Sequence, residues 1–340
     1  MKTRRWTAYA LAGIRGPGAA FNKLRLTKKG FKLSLSRRDA GRRRSIFLAL
    51  GSLALIAAAA PTPILLRAQA WTTPGADLAA ALTREPRECL GARTPETEIG
   101  RALFRSPALF GGPAARMGLS CNACHTNGRI NAHFFAPELT DRTSAADVTS
   151  EWSSRVRGDG ISNPVDIPDL VGVGGREAFG RGRDPSLEHF TSGVIGEEFQ
   201  GPTPPPQALA GLLAYLRALA ASACQPGESV ITLASAADDV RRALSAAASA
   251  EPETASLLAL SARDAMGRIA ERLPAHTFRS ERARLERLSR ELGRMRATGN
   301  IGAALEGAGW RARFDALVAR LARREQRSYF NEATLRGSLR

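Results

Sequence analysis

The chain is predicted to be all-α, a helical segment organised around loops and followed by an α-helical bundle, and three observations carry that reading. Apolar residues recur at helical spacing in about 95–107, 186–199 and 208–221, then in four further stretches at about 233–248, 252–273, 279–297 and 302–328. The composition leans on Ala, Leu and Arg, which are good helix formers. Aromatic residues make up only 6% with three Tyr, against an aromatic-rich sandwich. At 340 residues and 44% apolar, the chain has enough material for a buried core and for two modest domains.

The formal charge of +17 suggests a nucleic-acid binder until its location is considered. Residues 1–70 carry 15 Lys and Arg against the single acid Asp39, and no Lys follows Lys32. The remaining 270 residues hold a net charge of only +3, so no nucleic-acid partner is expected. The basic stretch reads as targeting. Arg42-Arg43-Arg44 precedes an apolar run from Ser45 to Ala60, then Pro61, Pro63 and the small-x-small site Ala68-Gln69-Ala70. That is the secretory pattern, with cleavage after Ala70 leaving Trp71 first. The alternative is an uncleaved membrane tether reaching Leu66, a span of ~20 residues and marginal for crossing. Both readings export the body, and the expected compartment is periplasmic.

Within the body, Pro95 and Glu96 open the first helix, with Ile99, Leu103 and Phe104 as its apolar stripe. Gly111-Gly112-Pro113 is expected to break the pattern. Residues 127–184 are rich in Gly, Pro, Asn, Asp and Ser and read as loops that something else must organise. Leu187, Phe190, Val194 and Ile195 form the inner face of a short helix. After the Pro202–Pro206 breaker, Leu212, Leu213, Leu216 and Leu219 mark a stronger one. Past Gln225-Pro226-Gly227 the balance shifts: residues 71–224 are net −3 and residues 228–340 net +6. The domains are therefore expected as a basic N-terminus (1–70), a first domain (71–224) and an Arg-rich helical bundle (228–340). The bundle's charges read as solvated helix faces with pairs such as Glu286 and Arg290, or as a docking face for an acidic partner.

Chemistry enters with Cys121-Asn122-Ala123-Cys124-His125, which is Cys-x-x-Cys-His, the attachment pattern for c-type haem. Two thiols three positions apart on one helical turn each form a thioether to a haem vinyl group, and the adjacent His ligates the iron. A redox dithiol needs no His there and has no βαβ surroundings. A zinc site lacks its second ligand pair. One covalent haem c on Cys121, Cys124 and His125 is therefore expected. Export leaves Cys89 and Cys224 as a spare pair bracketing the haem segment, and a disulfide between them is the expectation. His133 and His189 are the candidate distal iron ligands, with Met117, Met266, His276 and Met295 behind them and an open iron as the remaining alternative.

Gly100-Arg101-Ala102-Leu103-Phe104-x-x-Pro107, Ser120-Cys121-x-x-Cys124-His125, Ile167-Pro168-Asp169-Leu170-Val171-Gly172-Val173 and Ser186-Leu187-Glu188 together resemble one haem domain of the bacterial di-haem cytochrome c peroxidase family, over about residues 98–222. The resemblance implies an all-α cytochrome c-like haem domain and a role in electron transfer or peroxide reduction. The chain departs from the family in having one haem motif and in placing Val194 where a distal Met would stand. The expected function is an exported mono-haem electron carrier with a redox partner protein. The alternative is a peroxidase-like haem enzyme with an open distal site, in which His133 serves as base and Arg129 or Arg176 as its charge partner.

Overall fold

The computed structural model describes residues 64–339 except 74, 76, 300, 303, 304 and 306–308. The basic stretch and the apolar run of 45–60 lie outside the described residues. About 56% of the described residues are helical and 6% are in strands, in agreement with the all-α expectation.

A turn at Arg67–Trp71 leads to α1 (Leu78–Thr83), capped by the Asp77 carboxylate. Strand β1 (Arg84–Pro86) follows, then α2 (Pro95–Phe104), which Thr94 caps reciprocally with Thr97. Gly112-Pro113 starts a helix where a break was expected: α3 (Gly112–Met117) has Pro in its first turn, where the missing N–H costs nothing. Next comes α4 (Cys121–Cys124), the helical turn that carries the thiols. As expected, residues 127–184 hold little regular structure, chiefly β2 (Ala145–Ala146) paired antiparallel to β3 (Val165–Asp166). The helix read over 186–199 is divided: α5 (Leu187–Gly193) passes into a π-helical turn at Val194–Glu198. Then come α6 (Pro206–Ala218) and β4 (Glu228–Val230), whose register with β1 pairs Arg84 with Val230. The bundle is α7 (Leu233–Ser249), α8 (Pro252–Glu271), α9 (Arg279–Ala297), α10 (Trp310–Ala322) and α11 (Glu332–Ser338).

Helices α2 and α6 cross where both carry glycine. A Cβ on Gly100 would stand 2.0 Å from the Gly211 carbonyl oxygen, and one on Gly211 would stand 2.6 Å from Ile99 Cγ2. Backbones can meet this closely only without side chains. Beside the crossing, the Phe104 and Tyr215 rings pack with centroids 5.1 Å apart. Cys89 lies just before α2 and Cys224 just after α6, and the two are joined (S–S 2.07 Å, Cα–Cα 4.3 Å). Closing a loop of 135 residues stabilises by about 5 kcal/mol on the chain-entropy account.

The described residues belong to one compact unit, and a single apolar core runs from Ile99 and Leu103 through Leu212 and Val240 to Leu258, Leu292 and Trp310. The loop-rich segment and the bundle therefore share their interior. Their seam is ionic. Asp239 on α7 accepts from Arg101 Nη1 at 2.7 Å, Arg105 Nε at 3.2 Å and Arg268 Nη2 at 3.4 Å. Arg101 also reaches Glu88 at 2.9 Å, and Tyr215 donates to the same carboxylate at 2.8 Å. Burial pushes the Asp239 carboxyl up, but Arg105, Arg101 and Arg268 outweigh it and hold the group well below the usual carboxylate range.

Leu66 and Arg67 belong to this body. Leu66 is buried with Ala79, Leu82 and Leu335, and Arg67 pairs with Asp264 and Glu271, each at 2.5 Å. Among the described residues no helix is long and apolar enough to cross a membrane.

Removing one partner of a buried network leaves the others uncompensated, which costs about 3–5 kcal/mol. Asp239→Ala is accordingly expected to lower stability by that amount in urea unfolding. Glu286→Ala, which removes the exposed i,i+4 partner of Arg290, should cost no more than about 0.5 kcal/mol. Similar losses in the two variants would contradict the assigned role of Asp239.

Candidate haem attachment site

The motif residues are held by their own backbone and by the loop that follows. Cys121 and Cys124 occupy one turn of α4, half-buried against the main core, and both are free thiols. The His125 N–H donates to the Cys121 carbonyl at 2.9 Å, which fixes the residue one step past that turn. Asn127 then takes a left-handed conformation (φ 55°), a position Asn tolerates. Its N–H donates to Asn122 Oδ1 at 2.9 Å, and its amide donates to the Pro86 carbonyl at 2.8 Å. Asn131 closes the loop back on α4, donating from its backbone to Cys124 O at 3.0 Å and from its side chain to Ala123 O at 2.7 Å.

His125 Nδ1 lies 3.0 Å from the Pro168 carbonyl oxygen. A carbonyl only accepts, so Nδ1 carries the proton and Nε2 keeps a free lone pair, the tautomer that metal-bound histidines adopt. The Pro168 segment is buttressed in turn: Arg129 Nε bonds Asp169 Oδ2 at 2.6 Å, and Arg176 bonds the Asp169 carbonyl at 2.5 Å. Burial pulls the imidazole down to about 4, against the opposing pull of Pro168 and Asp169, so the ring is neutral at physiological pH. Burial pushes the Cys121 thiol up to about 12 and raises Cys124 as well. Protonated thiols suit thioether formation, in which S–H adds across a vinyl double bond without gain or loss of electrons. A redox dithiol or a zinc site requires the thiolate. The donor set of two neutral thiols and one oriented imidazole fits a covalent haem. Among the described residues no three His, Cys, Asp or Glu side chains converge on a metal ion without one.

No family model matches the chain, and neither does any curated protein or solved structure.

The candidate distal ligands are dispersed. His189, on α5, is 81% exposed and its Nδ1 bonds Asp184. His133 is exposed and lines a cavity of about 320 Å³ whose walls include Asn122, Ala123 and Thr126. Neither thiol nor His125 lines that cavity, which lies between α4 and the bundle. Met117 is half-buried against the core, Met266 and Met295 are buried in the bundle, and His276 is exposed. Val194 begins the π-helical turn, a local widening often found at functional positions.

That turn holds a group the sequence reading passed over. Glu198 is buried at its end, and its carboxylate accepts from Arg157 Nη1 at 2.6 Å, while Arg157 Nε bonds Glu197 at 2.9 Å. Glu198 is buried and its neighbour Glu197 exposed, although Arg157, about forty residues upstream, meets both, and no local pattern reveals the difference. Burial raises the Glu198 carboxyl to about 7, with Arg157 lowering it and Glu197 raising it further.

A carboxyl raised in the fold binds its proton more tightly there than in the unfolded chain, whose value is about 4.3. Stability from this group is therefore complete below about pH 4 and is lost as pH rises toward 7, by roughly 3 kcal/mol. Glu198→Gln keeps the hydrogen bond and removes the titration. It should be more stable than the parent at pH 8 and indistinguishable at pH 4 in urea unfolding; an equal difference at both values would refute the buried-carboxyl assignment.

Proposed function

We propose that this chain is an exported mono-haem c-type cytochrome that transfers electrons through one covalent haem c, with a redox protein as its partner. The observation that carries the reading is the His125–Pro168 bond beside two neutral, unpaired thiols on one helical turn. The glycine crossing of α2 and α6 supports a cytochrome c-like domain over residues 71–224, since such domains clamp the cofactor between crossing first and last helices. The sequence resemblance to a haem domain of the di-haem cytochrome c peroxidases supports the same architecture.

When bound, a haem at this position supplies a one-electron iron couple. Cys121 and Cys124 anchor it, and His125 offers Nε2 to the iron. Pro168 holds the imidazole at a fixed orientation, and the Arg129–Asp169 pair holds Pro168. The Cys89–Cys224 bridge ties the two ends of the domain together, which limits the rearrangement that accompanies electron transfer. The buried Leu66 and the ion-paired Arg67 support retention of the N-terminal segment over cleavage after Ala70, and with it a membrane tether in the periplasm.

A second reading is favoured by the outward placement of His189 and by His133 facing the cavity away from the thiols. On that reading the iron keeps an open distal face and the chain is a peroxidase-like enzyme.

Cys121→Ala/Cys124→Ala should abolish haem staining on a denaturing gel, and full staining in the double variant would sink both readings. In the parent, a low-spin reduced spectrum unmoved by cyanide is expected for the carrier. High-spin iron that shifts with cyanide would replace the carrier by the enzyme.

A further inference from the structure

Helices α8 and α9 carry the same pattern twice: Ser256 and Arg263 on one, Ser289 and Arg296 on the other, each pair seven residues apart and so on one helical face. The pairs meet reciprocally, with Arg263 Nε donating to Ser289 Oγ at 3.4 Å and Arg296 Nη1 donating to Ser256 Oγ at 3.0 Å. Gly293 makes room for this. A Cβ there would stand 3.2 Å from the Arg263 guanidinium carbon, so its absence lets Arg263 lie across α9.

The charges of Arg263 and Arg296 are not paired as those of several other bundle arginines are. Arg242 meets Glu98, Arg268 meets Asp264, and Arg320 and Arg324 meet Glu281. Among the described residues neither Arg263 nor Arg296 has a carboxylate partner. Burial and the neighbouring Arg296 both pull the Arg263 guanidinium below its usual range. The buried Nε–H of Arg296 has no acceptor. Two half-buried like charges with an unanswered donor cost free energy unless an anion joins them. Both serines accept from an arginine and keep their own hydroxyl protons to donate.

We propose that Arg263 and Arg296, with Ser256 and Ser289, form a binding site for a small tetrahedral oxyanion, phosphate or sulfate, bridging α8 and α9. Such an ion offers acceptor oxygens to both guanidinium forks in charge-assisted hydrogen bonds, answers the free Nε–H and cancels the repulsion. The site is independent of the haem reading. It gives the bundle a ligand of its own.

The test is calorimetric titration of the purified exported protein with sodium phosphate and, separately, sodium sulfate, in chloride buffer at fixed ionic strength, together with thermal unfolding. A saturable heat and a Tm rising with anion concentration are expected. Both should disappear in Arg263→Gln and Arg296→Gln and persist in Arg284→Gln, a control on the exposed face of α9. Without the anion, Arg263→Gln should melt no lower than the parent, because it relieves repulsion. The absence of a saturable heat for either anion in the parent overturns the proposal. So does an equal Tm rise in the parent and both glutamine variants, which is a general salt effect. Arg296→Lys keeps the charge without the fork and should bind more weakly; unchanged affinity there also overturns it.

Discussion

The structure depends on the ionic seam at Asp239. One carboxylate on α7 answers Arg101 and Arg105 from α2 and Arg268 from α8, so α2 is held in register with two consecutive bundle helices far along the chain. Arg105 then extends the connection to the haem-motif loop, bonding the Asn127 side chain two residues past His125. Buried ion pairs are poor net stabilisers, since desolvation consumes most of the Coulomb gain. Their value here is specificity. An apolar core shared by the loop-rich segment and the bundle would tolerate several packings, and the network tolerates the one that satisfies every charge.

The candidate site sits on top of that frame. Within seven residues the chain places two thiols, an imidazole and a left-handed Asn, and the loop at 167–170 supplies the carbonyl that selects the tautomer of His125. Burial acts on all three reactive groups in one direction. It keeps the thiols protonated and the imidazole neutral, the states from which thioethers form and iron is ligated.

Much of this was legible in the sequence because it is local or arithmetical. The apolar spacing Leu285, Leu288, Leu292, Met295 specifies α9, which spans Arg279–Ala297 as expected. Counting cysteines and reading export together pair Cys89 with Cys224. Helices α1 and α11 escaped, because six or seven residues hold too little periodicity and each is stabilised by the other through Asp77 and Arg336. The π-helical turn at Val194 also escaped, being a single-residue change of hydrogen-bond register within a helical pattern. Asp239 reads as one more acid on a bundle helix, since its three arginines lie between about thirty and a hundred and forty residues away. Neither His133 nor His189 carries a local signal that distinguishes a ligand from a surface histidine.

The most direct measurement is the intact mass of the exported, purified chain under denaturing conditions. The account predicts the polypeptide mass plus one haem, retained after denaturation because the attachment is covalent. A bare polypeptide mass from cells that mature other c-type cytochromes would contradict it.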